Sequence, residues 1–182
     1  LDEAEVGRLL SSVTSLRERV LVHLLYALGC SLRELVRIRV RDIDLEGCSV
    51  RLSSSPARRA RRAYFSRQMR DLLVQYLEEQ GLRSRRLAHI FGSRERSHMT
   101  VRRAAQLITS QLHAGGFTDR AHPQVLKYSH IINAYRAHVP VAAIQRQVGL
   151  TKQRLISILS EIDEPHGASY ENFFTGIGYH VH

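Results

Sequence analysis

Lysine is almost missing from this sequence. Lys127 and Lys152 are the only two among 27 basic side chains, so the positive charge is carried by arginine, whose planar fork suits bidentate contact with phosphate. A high-GC coding sequence produces the same arginine bias. Acidic residues are also few: 17 against those 27 leave a formal charge of +10 and a pI near 10.4, which points to a polyanionic partner, nucleic acid first. Cysteine occurs twice, at Cys30 and Cys48, without metal-ligand spacing. That argues against a disulfide framework and for no metal or cofactor, and fits reduced thiols in a cytoplasmic protein, nucleoid-associated in a bacterial or archaeal cell. No run of eighteen apolar residues and no signal-peptide pattern occurs, so no membrane partner is expected. The chain opens at Leu1 rather than Met, which leaves room for an upstream domain.

What is present is enough apolar sequence, 43% of 182 residues, for one well-buried core. Acidic residues at 2, 3 and 5 start a short amphipathic helix carrying Val6, Leu9, Leu10 and Val13. Leu16, Val20, Leu21, Leu24, Leu25 and Leu28 predict a central helix ended by Gly29, and Ser31 caps a short third one. The period then changes to two over Val40 to Leu45, and Gly47 turns the chain into Cys48 to Leu52, which reads as a β-hairpin. A loop at Ser53 to Pro56 and an arginine run lead to a third strand at Ala63, Tyr64 and Phe65.

Further helices are expected over 67–79, 100–113, 124–138, 141–148 and 151–162, with an arginine-rich connection from Leu82 to His98. The segment from Val141 to Leu155 also reads as a helix-turn-helix, with Gly149 at the turn and Thr151 opening a recognition helix. Ordinary antiparallel helix pairs look the same. Residues 163–182 form a tail with Tyr170, Phe173, Phe174 and Tyr179 and no clear period.

The Gly29-x-x-x-x-Glu34-Leu35 segment, the strand from Arg39 to Asp44, the hairpin, and the register from Pro123 to Leu159 together resemble the catalytic domain of the tyrosine recombinase (phage integrase) family. The resemblance covers about Leu1 to Ile162. It implies a mainly α (α+β) domain, helical with a small three-stranded antiparallel sheet, and DNA strand cleavage and joining as the family chemistry. That chemistry uses two arginines, histidines and a hairpin lysine around the scissile phosphate, with a tyrosine that attacks phosphorus.

At the corresponding positions this sequence departs from the family. Ser31 stands for the first arginine, Gln124 for a histidine, Lys127 for the second arginine, Leu150 for the later histidine or tryptophan, and Leu159 for the tyrosine. Arg33 lies two positions past Ser31, about 200° round a helix, and is not expected to substitute. No lysine occurs in the hairpin region. Losing one such electrostatic group typically costs roughly 10²-fold or more, so the expectation is a pseudoenzyme that binds double-stranded DNA through Arg58, Arg59, Arg61, Arg62, Lys127, Arg146, Lys152 and Arg154. Two alternatives stand beside it. One is an interaction module in which the tail passes between protomers, making a homo-oligomer, as the resemblance implies. The other is an active recombinase using Tyr170 as a displaced nucleophile, against which stands ordinary aromatic packing of that residue. His122 reads either as a shifted acid or as a helix-entry residue.

Overall fold

The first helix, α1 (Glu3–Ser12), is fixed by a reciprocal cap. The Glu5 amide donates to the Asp2 carboxylate at 2.7 Å, and the Asp2 amide donates to the Glu5 carboxylate at 2.9 Å. Val6 and Leu9 face inward from it. The computed structural model describes residues 1–53, 60–92 and 98–160.

Helix α2 (Leu16–Leu28) is the centre of the fold, as its wide apolar surface predicts. Val20, Leu21, Val22, Leu24, Leu25 and Leu28 are all buried, each worth about 1.5–3 kcal/mol of transfer free energy. It packs against α4 (Arg67–Glu79), α5 (Val101–Ala114) and α6 (Gln124–Arg136). Gly29 ends α2 in the left-handed region, φ +52°. A Cβ there would lie 2.7 Å from Val148 and 2.9 Å from His130, so the position needs glycine for both conformation and space. The one-turn helix α3 (Leu32–Leu35) follows, capped by Ser31.

The sheet has the order β1 (Ile43–Asp44), β2 (Ser49–Leu52), β3 (Arg61–Tyr64), antiparallel throughout. Its boundaries differ from the alternation in two places. Val40–Asp42 forms a 3-10 turn rather than strand. The Asp42 carboxylate accepts the Arg39 amide at 3.1 Å, a local bond that competes with ladder pairing and shortens β1 to two residues. The third strand begins at Arg61, because Leu52 pairs with Arg61 and Val50 with Ala63. Val50 and Ala63 are fully buried, while Arg51 and Arg62 stand opposite each other on the outer face.

The arginine-rich connection is better anchored than its composition shows. Arg39 and His89 form an antiparallel bridge, the Val40 amide donates to the Ala88 carbonyl at 3.0 Å, and the Ile90 amide donates to the Ile38 carbonyl at 3.0 Å. Buried Tyr76 donates its hydroxyl to the Ile90 carbonyl at 2.8 Å.

Two apolar clusters result. The larger runs from Leu9 to Leu126 around α2. A smaller one joins Ile131 of α6 with Ile144 and Val148 of α7 (Val141–Val148) and Leu155, Ile158 and Leu159 of α8 (Lys152–Ser160). No helix among the described residues is long and apolar enough to cross a membrane.

Candidate nucleic-acid interface and adjoining cleft

The single turn of α3, the start of α6 and the α7–α8 corner enclose a cleft of about 570 Å³. Ser31, Gln124, Lys127 and Leu150, four sequence positions spread over 120 residues, all line it. Leu159 does not. It is 3% exposed and packs in the smaller cluster, and its neighbour Ile158 reaches the cleft wall instead. Arg33 does line the cleft, contrary to the helical-wheel argument. That argument needs helix at both positions, whereas Ser31 is an extended cap (φ −83°, ψ 157°) and only Arg33 is helical.

Each cleft residue has a local reason for its place. The Ser31 hydroxyl accepts the Glu34 amide at 3.3 Å and donates to the Glu34 carboxylate at 2.9 Å, so serine acts as a helix cap. The His122 ring nitrogen accepts the Gln124 amide at 3.2 Å at the entry of α6, in keeping with a helix-entry role, while His122 also lines the cleft. Arg154, exposed on α8, donates to the Tyr128 hydroxyl at 3.3 Å across the cleft.

Two cations beside the cleft, Lys127 in its lining and Arg61 in the neighbouring groove, are already engaged. Lys127 donates to the Val148 carbonyl at 2.9 Å, and burial pushes its ammonium below the usual lysine range. Arg61 contacts the Glu34 carboxylate with two nitrogens, at 3.2 and 3.3 Å, and also donates to the Gln147 carbonyl. Burial alone would raise the Glu34 carboxyl. The Arg61 guanidinium and the Ser31 donors outweigh it and hold the group below the ordinary carboxylate range. Behind them, burial and then the Lys127 and Arg61 charges push His130 down to about 4, and burial pushes the Cys30 thiol up to about 12. The negative end of α7 is therefore capped by two cations.

Sequence reasoning did not find this pin. Arg61 was expected at a DNA surface, yet its side chain is 17% exposed and Glu34 is 13% exposed. Gln147 was not singled out at all. Its side-chain amide nitrogen donates to the Tyr64 carbonyl at 2.8 Å and its oxygen accepts the Tyr64 amide at 2.9 Å, so it closes the free edge of β3. No local pattern marks either residue, because Arg61 meets Glu34 from 27 positions away and Gln147 from 86, and Gln147 meets Tyr64 from 83.

The remaining expected cations are placed differently. Arg62 is 61% exposed, beside Asp44 at 3.6 Å. Arg62 and Arg146 line a neighbouring groove of about 880 Å³ with Ala142, Ala143, Ile144 and Leu150. Lys152, Gln153 and Arg154 are all exposed at the start of α8, whose opposite side buries Leu155, Ile158 and Leu159. The corner thus presents outward cations while closing the cleft. Arg58, Arg59 and Tyr170 lie outside the described residues, as does the tail. Among the described residues no group of His, Cys, Asp and Glu is arranged to hold a metal ion.

The family model for the phage integrase family matches residues 1–159. Among solved structures, the chain is similar to XerA recombinase, with 21% identity over 93% of this chain and 65% of that one, at a TM-score of 0.77. It is also similar to XerH site-specific recombinase bound to palindromic difH substrate, at 16% identity over 90% of this chain and 50% of that one, TM-score 0.75. A lambda integrase dimer bound to a COC' core site gives 12% identity, 91% and 49% coverage, and TM-score 0.69. The chain therefore spans between half and two thirds of the length of these proteins.

Proposed function

The chain belongs to the phage integrase family, and on that premise we propose that it binds double-stranded DNA without cutting it, in an accessory, architectural or regulatory role. The observation that carries this is the cleft itself. Ser31, Gln124, Lys127 and Leu150 meet there, and Leu159, which the resemblance aligns with the family's tyrosine, is buried away from it. Phosphoryl transfer needs cations free to take the charge spread over the phosphoryl oxygens. Arg61 and Lys127 instead satisfy the carbonyls that end α7, and Arg61 also neutralises Glu34.

Binding asks for less. Arg33 and Arg154 at the cleft, with exposed Arg62, Arg146 and Lys152 beyond it, keep positive charge at the surface, and phosphate contact requires only charge and reach. The net charge of +10 and the DNA held in the XerH and lambda integrase structures support the same reading. Service in DNA recombination, inside the cell, follows from it.

The test is to incubate the chain with a nicked duplex and look for a covalent protein–DNA species, in parallel with affinity measured across a salt series. Salt-sensitive binding without a covalent species is expected. A covalent species lost in Tyr170→Phe would overturn the reading in favour of an active recombinase with a displaced nucleophile. Absence of salt-sensitive binding would remove DNA as the partner.

A second reading is favoured by one observation. The groove lined by Ala134, Val139, Ala142, Ala143 and Ile144 is apolar and unfilled by described residues, and it is large enough for part of an aromatic segment such as 163–182 passed from another protomer. Light scattering with and without residues 163–182 decides it: an unchanged mass rules out tail exchange.

A further inference from the structure

A second concave site, of about 340 Å³, shares no lining residue with the cleft. Arg37, Arg39, Arg41 and Arg51 line it together with His89. Two carboxylates reach the same groove, and both are committed. Glu34 is held by Arg61, and Asp42 accepts the Arg39 amide at 3.1 Å and lies 3.4 Å from the Arg51 guanidinium. No carboxylate among the described residues pairs with Arg37, Arg39 or Arg41.

These arginines stand on a stiff mount. The Arg39–His89 bridge, the Val40 amide donating to the Ala88 carbonyl at 3.0 Å and the Arg41 amide donating to the Arg86 carbonyl at 2.9 Å fix the backbone of Arg39 and Arg41, the Arg37 amide donates to the Glu34 carbonyl at 3.1 Å, and the β2–β3 ladder holds Arg51. Arg51 is paired with Asp42 and Arg39 donates to the His89 ring at 3.4 Å, but four guanidinium groups around one groove still exceed the carboxylates that reach it. An anion would offset that excess, and a rigid mount spares the ordering cost of binding it.

The surroundings decide which anion. Across the β2–β3 ladder Arg51 stands opposite Arg62, which continues the positive charge toward Arg146 in the neighbouring groove. The charge therefore runs on from Arg51 through Arg62 as a line beyond the groove, rather than ending at Arg37, Arg39 and Arg41. A linear polyanion fits such a line better than a compact one does.

We infer that the groove lined by Arg37, Arg39, Arg41 and Arg51 binds backbone phosphates of the same duplex beyond the cleft, and so extends the DNA footprint over the outer face of the sheet. This rests on the DNA-binding reading above. It assigns a phosphate-contacting role to residues that neither the motif register nor the arginine run at 58–62 marks out.

The experiment uses the full 182-residue chain and one long duplex. Binding is measured across a salt series for the parent, for Arg37→Gln/Arg41→Gln/Arg51→Gln, and for the cleft variant Arg33→Gln/Lys152→Gln/Arg154→Gln. The groove variant is expected to lower the slope of log affinity against log salt by about 2–3, roughly one per lost phosphate contact, and a triple Arg→Lys variant to restore most of it. The single variants Arg37→Gln and Arg41→Gln, each expected to lower the slope by about one, serve if the triple variant does not fold. An unchanged slope in the groove variants, with a lowered slope in the cleft variant, overturns this inference and leaves DNA binding standing. Failure of the parent to bind duplex overturns both. Loss of pyrophosphate binding in the groove variant with its DNA slope unchanged would assign the groove to a free phosphate ligand, which also overturns the inference.

Discussion

Arg61 of β3 and Glu34 of α3 face each other through two contacts, at 3.2 and 3.3 Å, while the same guanidinium donates to the Gln147 carbonyl at the end of α7. One side chain thereby ties the sheet, the short helix beside the cleft and the smaller apolar cluster together. Lys127 repeats the arrangement one residue on, at Val148.

Arg61→Ala is expected to cost about 3 kcal/mol, because it leaves a largely buried carboxylate and a helix-end carbonyl without their partner. Arg62→Ala, one residue along but 61% exposed, is expected to change stability by no more than about 0.5 kcal/mol while weakening DNA binding. Urea unfolding of both variants separates the pin from the surface contact. Equal stability losses would refute the distinction.

Gly149 sits at φ +66°, and a Cβ on it would run into the Arg61 side chain, 2.7 Å from Cδ. Gly149→Ala is therefore expected to destabilise by about 1–3 kcal/mol, and by much less in an Arg61→Ala background, where only the backbone strain remains. A double-mutant cycle of thermal midpoints measures that coupling.

His130 predicts a pH dependence with a definite sign. Its folded value of about 4 lies below its ordinary 6.5, so between these the unfolded chain binds more protons and stability rises with pH. Acidification across that window is expected to remove up to about 3 kcal/mol, with nothing further from this residue below it. The depressed Glu34 carboxyl acts in the same direction, its contribution being lost as pH falls through its folded value. Denaturation of His130→Gln over the same pH range is expected to show a flatter profile, and a parent-like slope would rule the histidine out.

Leu159→Tyr puts a phenol at the position proposed to correspond to the family's nucleophile. Leu159 is 3% exposed inside the smaller cluster, so the larger ring is expected to cost about 1–3 kcal/mol. No covalent species with nicked duplex is expected from it, since Ser31 and Gln124 supply no replacement charge. Cleavage by this single variant would show that the cleft keeps more catalytic capacity than its residues indicate.

The helices were legible wherever a single face carries the apolar residues, as in α2 and α4, and wherever a cap stands at the right place, as with Asp2, Ser31 and Thr100. The strand boundaries were less so. The Asp42 carboxylate takes the Arg39 amide, and a short polar side chain that competes for backbone donors leaves the alternating pattern unchanged.

By itself the sequence determined most of the elements, because helix period, capping and turn residues act between near neighbours, whereas the meeting of Ser31, Gln124, Lys127 and Leu150 at one cleft is a product of the tertiary fold. Only the tertiary structure decided what the charges do. Arg61 and Arg62 are adjacent and chemically identical, yet strand alternation sends one in to Glu34 and α7 and the other out to solvent. The second groove gathers Arg37, Arg39 and Arg41 from one stretch and Arg51 from β2, with His89 brought in by the pairing of residues 38–41 with 86–90. Which arginine is buried, paired or free depends on partners brought in from distant sequence, and the energy of a charge is set by that environment rather than by its neighbours in the chain.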